Sequence, residues 1–152
     1  PHNKTYTLHL SQYLPDTPGQ SNKKPLHIPI SIGLLDENGN DIRIDTPVLS
    51  LTKPEQEFVF ENINTQPHLS ILRDFSAPVK LKRNVDDKEL AFILAKDSDN
   101  FNRWFAGQQL YMNTILHLVA DVQKGLELKL PDLLRETFAQ ILLDPNLNIS
   151  LN

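Results

Sequence analysis

The spacing of apolar residues changes near Asp86 and divides the chain into two parts. Before Asp86, short apolar segments are separated by Pro, Gly, Asn and Asp, and all but two of the 11 prolines lie there. After Asp86, apolar residues recur every three or four positions. Because alternation is typical of strands and the longer period of helices, we predict a β-sandwich domain over 1–85 and the truncated start of a helical domain over 86–152.

Alternating apolar side chains predict a half-buried strand over 4–11, the first of a series in this part of the chain. Asn38-Gly39 predicts a type I′ hairpin turn, and Pro29, which lacks a backbone donor, predicts an edge position or a bulge. The further strands are predicted over 26–35, 41–44, 47–51, 56–60, 69–73 and 78–82. Short strands separated by turn residues are typical of an immunoglobulin-like, mostly antiparallel β-sandwich.

Capping residues mark about three helices in the second part. Asp86 is a good N-cap for a first helix, and Asp99 and Gly125 suit the two ends of a longer second helix. Pro131 is expected at the first position of a third helix, where its missing N–H costs nothing. The long second helix carries a mostly apolar stripe along one face: Phe101, Trp104, Phe105, Gln108, Met112, Ile115, Leu116, Val119 and Val122.

Three helices with wide apolar faces need more cover than a small sandwich supplies. The chain begins without an initiator Met, and residues 147–152 stay semi-apolar, as at the entry to another helix. These features predict a piece excised from a longer protein.

Composition narrows the classes of function. The chain has no cysteine, which excludes disulfides and a cysteine nucleophile and fits a reducing compartment, so we expect a cytoplasmic location. The net charge is −4, without a run of Lys or Arg, so no nucleic acid partner is expected. No apolar stretch approaches the roughly 20 residues of a membrane span, so no membrane partner is expected either.

The histidines do not form a zinc-peptidase motif, because no two of the five lie within six residues of each other. His9 and His27 could meet across paired strands as a two-ligand site, although ordinary polar strand positions explain them better. His117 and Asp121, one helical turn apart, could be a ligand pair or a dyad, but a solvated or interface pair is favoured. We therefore predict no catalytic, cofactor-binding or metal site in this chain.

The carboxylates and glycines have structural explanations too. Residues 36–41 superficially resemble a calcium loop, but they lack the flanking helices and the distal Glu, and a hairpin turn is the better interpretation. Nucleophile-elbow, phosphate-loop and dinucleotide-binding patterns are absent from the sequence.

Segment 99–109 is the densest in aromatic and polar side chains. We interpret Arg103 and Gln109 as contacts to a neighbouring domain, and Phe101, Trp104 and Phe105 as core anchors at i, i+3 and i+4. If Trp104 is a buried aromatic, Trp104→Ala would lower the free energy of unfolding by about 3–5 kcal/mol.

The order of several short segments resembles the bacterial type of aminopeptidase N, a zinc metallo-aminopeptidase family of the gluzincin group. The resemblance covers nearly the whole chain, and its fairly specific parts are the last two of these stretches: YTLHLSQ (6–12), PLHIPI (25–30), EFVFEN (57–62), DFSAPVKL (74–81) and NFNRW (100–104).

The resemblance implies the small β-sandwich of such an enzyme plus the first helices of its C-terminal domain. Zinc would be bound in the parent enzyme by a His-Glu-x-x-His helix, and a Gly-x-Met-Glu-Asn motif would bind the substrate amine. This sequence contains neither motif, so no catalytic residue of the family transfers to it. The implied partners are the catalytic domain and the remaining helical domain of the parent chain, and peptides are substrates for the parent alone.

Two other functions stay open on the sequence. A free-standing sandwich module could bind peptides by strand addition or carbohydrates through its loops. An enzyme could use an unrecognised site at His9 and His27 or at His117 and Asp121.

Overall fold

The structure is a computed structural model that describes residues 4–144. The semi-apolar segment 147–152, for which a further helix is expected, lies outside the described residues. The chain folds as two compact units, Pro1–Lys80 and Leu81–Asn152.

Residues 4–80 of the first unit contain short antiparallel strands arranged in two sheets. One sheet pairs β1 with β5, and in the other β2 pairs with β3, β4 and β6. The strand bounds are β1 Thr5–Ser11, β2 Ile28–Leu35, β3 Asp41–Ile42, β4 Val48–Leu51, β5 Glu55–Glu61 and β6 His68–Ile71.

Strand β2 is the centre of its sheet and of this unit's core. Buried and less buried residues alternate at the start of β2. At its end, where β2 pairs with β3 and β6, the consecutive residues Leu34 and Leu35 are both fully buried. Pro29 lies in the half of β2 that pairs with β4 alone among the described strands, so its missing N–H interrupts no second ladder. The other buried apolar residues of this unit are Leu8, Ile30, Ile32, Leu49, Leu51, Phe60, Ile63, Ile71, Leu72 and Ala77.

The hairpin between β2 and β3 forms where it was expected, with a different turn type. The N–H of Gly39 donates to the carbonyl of Asp36, and Gly39 has a φ of 89°. Asn38 has no positive φ, which a type I′ turn requires at both central positions. The loop is therefore a type I turn followed by a glycine bulge, and the prediction of type I′ was wrong.

The Asp36 side chain holds this turn together. Its carboxylate accepts hydrogen bonds from the N–H groups of Asn38 and Asn40, each 2.8 Å long, and from the Asn40 side chain. These bonds, led by that of the Asn40 side chain, hold the pKa of Asp36 below its usual value of 3.8. The hairpin interpretation of residues 36–41 is thus confirmed.

The segment after β6 differs from the prediction. A 3-10 turn follows at Arg73–Phe75. Leu72, which precedes it, and Asp74 within it adopt left-handed φ angles of 59° and 53°. The strand predicted over 78–82 does not form. These residues are mostly exposed, and Pro78 has no backbone N–H to donate to a neighbouring strand.

Arg73 crosses the sheet at Gly33. Its Nε donates to the Ser70 hydroxyl at 2.8 Å, and its Nη2 pairs with an Asp41 carboxylate oxygen at 2.7 Å. A Cβ atom at Gly33 would overlap the guanidinium, so only glycine leaves room for this arrangement.

Within residues 81–144, the second unit contains three helices, α1 Asp87–Lys96, α2 Asn100–Gln123 and α3 Asp132–Leu142. The carboxylates of Asp86 and Asp99 accept N–H bonds at the starts of α1 and α2, as predicted. Gly125, with a φ of 71°, ends α2 in a Schellman arrangement, because its N–H and that of the next residue donate back to Val122 and Asp121. Pro131 is the N-cap of α3 rather than its first residue.

Candidate docking surface on the helical unit

Helix α2 packs through a face of mostly small residues around Leu110. The buried positions on this face recur about once per turn: Asn102, Ala106, Gly107, Leu110 and Thr114. A Cβ atom at Gly107 would lie 3.2 Å from Leu94 Cδ1, so glycine lets α1 and α2 approach closely. Thr114 donates its hydroxyl to the Leu110 carbonyl at 2.9 Å, which satisfies it inside this contact.

The apolar stripe of α2 lies on the opposite side. At about 100° of rotation per residue, its centre is roughly 180° from the packed face. The large apolar side chains of this stripe are 37–59% exposed, apart from the half-buried Phe101: Trp104, Phe105, Met112, Ile115, Leu116, Val119 and Val122. The stripe therefore faces solvent in this chain, because α2 packs through its other face.

The aromatic residues at the start of α2 form a surface cluster. The Phe101 ring lies 6.0 Å from that of Trp104 and 6.3 Å from that of Phe105, centroid to centroid. Trp104 is 58% exposed and Phe105 37%, so the assignment of these two as core anchors is corrected to exposed positions. Phe101 is half-buried beneath them.

Arg103 and Gln109 do not share a face, since six residues correspond to about 120° around a helix. Arg103 is half-buried and its Nε donates to the Leu94 carbonyl at 3.0 Å, where it joins α2 to the last turns of α1. Gln109 is exposed and lines a shallow concavity of 440 Å³ with Phe105 and the segment 81–84. Their contact with another domain stays a prediction.

The exposed apolar surface continues beyond α2. Leu126, Leu128 and Leu130 in the connection to α3 are each more than half exposed. Phe138 of α3 stacks on Tyr111 at 5.5 Å, and burial raises the pKa of Tyr111. Leu142 and Leu143 at the end of α3 are also exposed, so three consecutive elements present large apolar side chains to solvent.

The two histidine-containing pairs that were considered as metal ligands lie in β1 and before β2, and on α2. His9 lies in β1, where its Nδ1 is 3.2 Å from a carboxylate oxygen of Glu57, both side chains being exposed. His27 precedes β2 in the other sheet, so His9 and His27 do not meet across paired strands. His117 and Asp121 lie on α2 without a third ligand, since residues 4–144 bring no three potential metal-binding side chains together. This donor set does not fit zinc.

The apolar stripe is evident in the sequence, whereas the face through which α2 packs is not. The signal was present in the small residues Ala106 and Gly107, which permit close helix contact opposite the large side chains.

Of the helices in the described region, none combines the length and apolar character that crossing a bilayer requires.

Two protein families match the chain, one over its strands and one over its helices. Residues 1–84 match "Domain of unknown function (DUF3458) Ig-like fold", and residues 87–152 match "Domain of unknown function (DUF3458_C) ARM repeats".

Individual relatives are aminopeptidases. The chain is 40% identical to Aminopeptidase N of Escherichia coli (strain K12) over 99% of its own length and 18% of that protein. It is 35% identical to Aminopeptidase N of Haemophilus influenzae over 86% of its length and 16% of that protein. Its fold matches a crystal structure of Legionella pneumophila aminopeptidase A in complex with aspartic acid, with a TM-score of 0.73 and 34% identity, over 97% of this chain and 16% of that one. The chain thus spans less than a fifth of the relatives it matches.

Proposed function

We propose that this chain, which belongs to the family described as "Domain of unknown function (DUF3458) Ig-like fold", is a non-catalytic, interdomain segment of a zinc-dependent aminopeptidase. In this proposal the parent enzyme removes N-terminal residues from peptides in the cytoplasm. The zinc and the catalytic groups belong to another domain of the parent. Similarity to aminopeptidases along nearly the whole chain, over a small share of their length, supports the assignment.

The exposed stripe of α2 carries the proposal. Apolar surface of this extent is destabilising in water unless another element covers it. Helical repeats of the ARM kind bury such faces by stacking on their neighbours, and the helical unit matches that description. The remaining helices of the parent would therefore pack on Trp104, Ile115, Val119 and the neighbouring side chains.

The sandwich unit would then separate the catalytic domain from the helical domain. We place the boundary between the two units of this chain in the extended segment that leads to the N-cap Asp86. A wall of helices beginning here would enclose substrate peptides and exclude folded proteins from the zinc.

A graft tests the proposal. In the Escherichia coli relative, the matching segment is replaced by this chain, and a second version carries a flexible linker instead. We expect the graft to cleave an alanyl chromogenic amide and the linker version to be inactive. The purified chain should neither cleave the amide nor bind stoichiometric zinc. Cleavage by the chain alone, abolished by a chelator, would contradict the proposal, and so would an inactive graft that is folded.

A further inference from the structure

Strand β5 has one paired edge and one open edge. The N–H of Gln12 donates to the Pro54 carbonyl at 2.8 Å, which sets the hydrogen-bonding phase between β1 and β5. Because this phase alternates, the backbone groups of Gln56, Phe58 and Phe60 point to β1. Those of Glu57, Val59 and Glu61 point away, to an edge where no strand of residues 4–144 pairs. Such an edge can accept a further strand.

A groove follows this open edge. It has a volume of 680 Å³ and separates β5 from the connection between β3 and β4 at residues 43–46. This volume lies within the roughly 300–1,000 Å³ that is typical of ligand sites. The side chains of Ile44, Leu49, Phe58 and Phe60 line it, with Arg43 and Asp45 on the connecting segment. Leu49 and Phe60 are almost completely buried, so the apolar contacts that the groove offers to an added strand come from the half-buried Ile44 and Phe58.

The other face of β5 is acidic. Glu55, Glu57 and Glu61 alternate along it with Val59, which is 58% exposed. In a strand added at this edge, every second side chain would lie beside these carboxylates, where opposite charges are favoured and like charges are not.

The same charges argue against a second copy of this chain. If two β5 strands paired antiparallel about Val59, each Glu57 would lie opposite the Glu61 of the other copy. Directly opposed like charges destabilise a strand pair.

We propose that the open edge of β5 binds an extended peptide segment, with alternating basic and apolar side chains, by strand addition. The backbone of the segment pairs with Glu57, Val59 and Glu61. Its basic side chains lie beside the acidic face, and its apolar side chains enter the groove. This binding site is independent of any aminopeptidase activity of a longer protein.

The probe is a synthetic peptide of alternating lysine and valine that is seven residues long, the length of β5. Isotope-labelled full chain is titrated with this peptide and with its glutamate–valine counterpart, and amide exchange is followed by NMR. We expect the lysine peptide to slow exchange at Glu57 and Val59 and to leave Thr7 and His9, on the far edge of β1, unchanged. Absence of binding, equal binding of the glutamate peptide, or protection of the β1 edge would each overturn the proposal.

Two variants on opposite edges sharpen the test. Val59→Pro removes an outward N–H of β5, and Thr7→Pro removes the outward N–H of the residue directly opposite on β1. We expect about tenfold weaker peptide binding for Val59→Pro, from the lost bond and its disturbed neighbours, and unchanged binding for Thr7→Pro. Equal losses in the two variants refute the assignment of the edge.

If Val59→Pro unfolds the sheet, N-methylated peptides replace it. Alternate N–H groups of an added strand face β5, so methylation of one alternate set should abolish binding and methylation of the other should leave it. Equal effects of the two sets would overturn strand addition. Concentration-dependent dimerisation of the free chain that Glu61→Lys strengthens would instead identify a second copy as the occupant.

Discussion

Leu110 and Ile115 lie on opposite faces of α2 and provide a matched comparison of those faces. Leu110 is 1% exposed and Ile115 is 53% exposed. Leu110→Ala removes a fully buried side chain from the packed face of α2. Such changes cost about 2–5 kcal/mol, so we expect a loss of about 3 kcal/mol. Ile115→Ala removes three carbons, worth about 2.4 kcal/mol if fully buried and about 1.2 kcal/mol at half burial. The better helix propensity of Ala returns about 0.4 kcal/mol, which leaves a cost below about 1 kcal/mol.

The assay is thermal and urea unfolding of the chain, followed by far-UV circular dichroism. For a unit of this size, about 3 kcal/mol corresponds to a Tm lowered by about 12–24 °C. The Ile115 variant should move by a few degrees. Costs for the two variants within about 0.5 kcal/mol of each other would refute the assignment of the packed and exposed faces.

Three further predictions concern local structure. Asp99→Ala should cost about 1 kcal/mol in urea unfolding, because the carboxylate accepts the N–H of Asn102 at 2.7 Å, and an unchanged midpoint would contradict its role as a cap. Gly33→Ala should cost about 1–3 kcal/mol by displacing Arg73, and the double variant with Arg73→Ala should cost less than the sum of the two single losses; strict additivity would show that the two residues do not interact. The lowered pKa of Asp36 means that its stabilisation of the hairpin is present above about pH 4 and is lost as the pH falls through that lowered pKa; an NMR titration of its carboxyl carbon with a midpoint above 3.8 would contradict this.

Local features were predictable because they depend on nearby residues. Asp86 and Asp99 cap their helices through N–H groups three residues away, and alternation located β1 and β5 to within a residue or two. Asn38-Gly39 predicted a hairpin but not its turn type, because the same dipeptide suits both a type I′ turn and a type I turn with a glycine bulge.

The choice of packed face could not be predicted from periodicity. Large apolar side chains define the stripe of α2, but the small residues Ala106 and Gly107 allow α1 to approach on the other side. Trp104 is therefore exposed. We expect Trp104→Ala to cost less stability than truncation of a buried aromatic residue, which costs about 3–5 kcal/mol. The open edge of β5 also required the fold, because the direction of its backbone groups depends on its register with β1.

The most direct test of an apolar docking surface on α2 is the Tm change caused by Val119→Asp, measured in the chain alone and in the graft within the Escherichia coli relative. Val119 is about half exposed in the chain, where the substitution should cost less than about 1 kcal/mol. In the graft, the carboxylate would be buried against the remaining helices, and a loss of at least about 3 kcal/mol is predicted. An equally small change in both proteins, with an active graft, would contradict the assignment of this stripe as a docking surface.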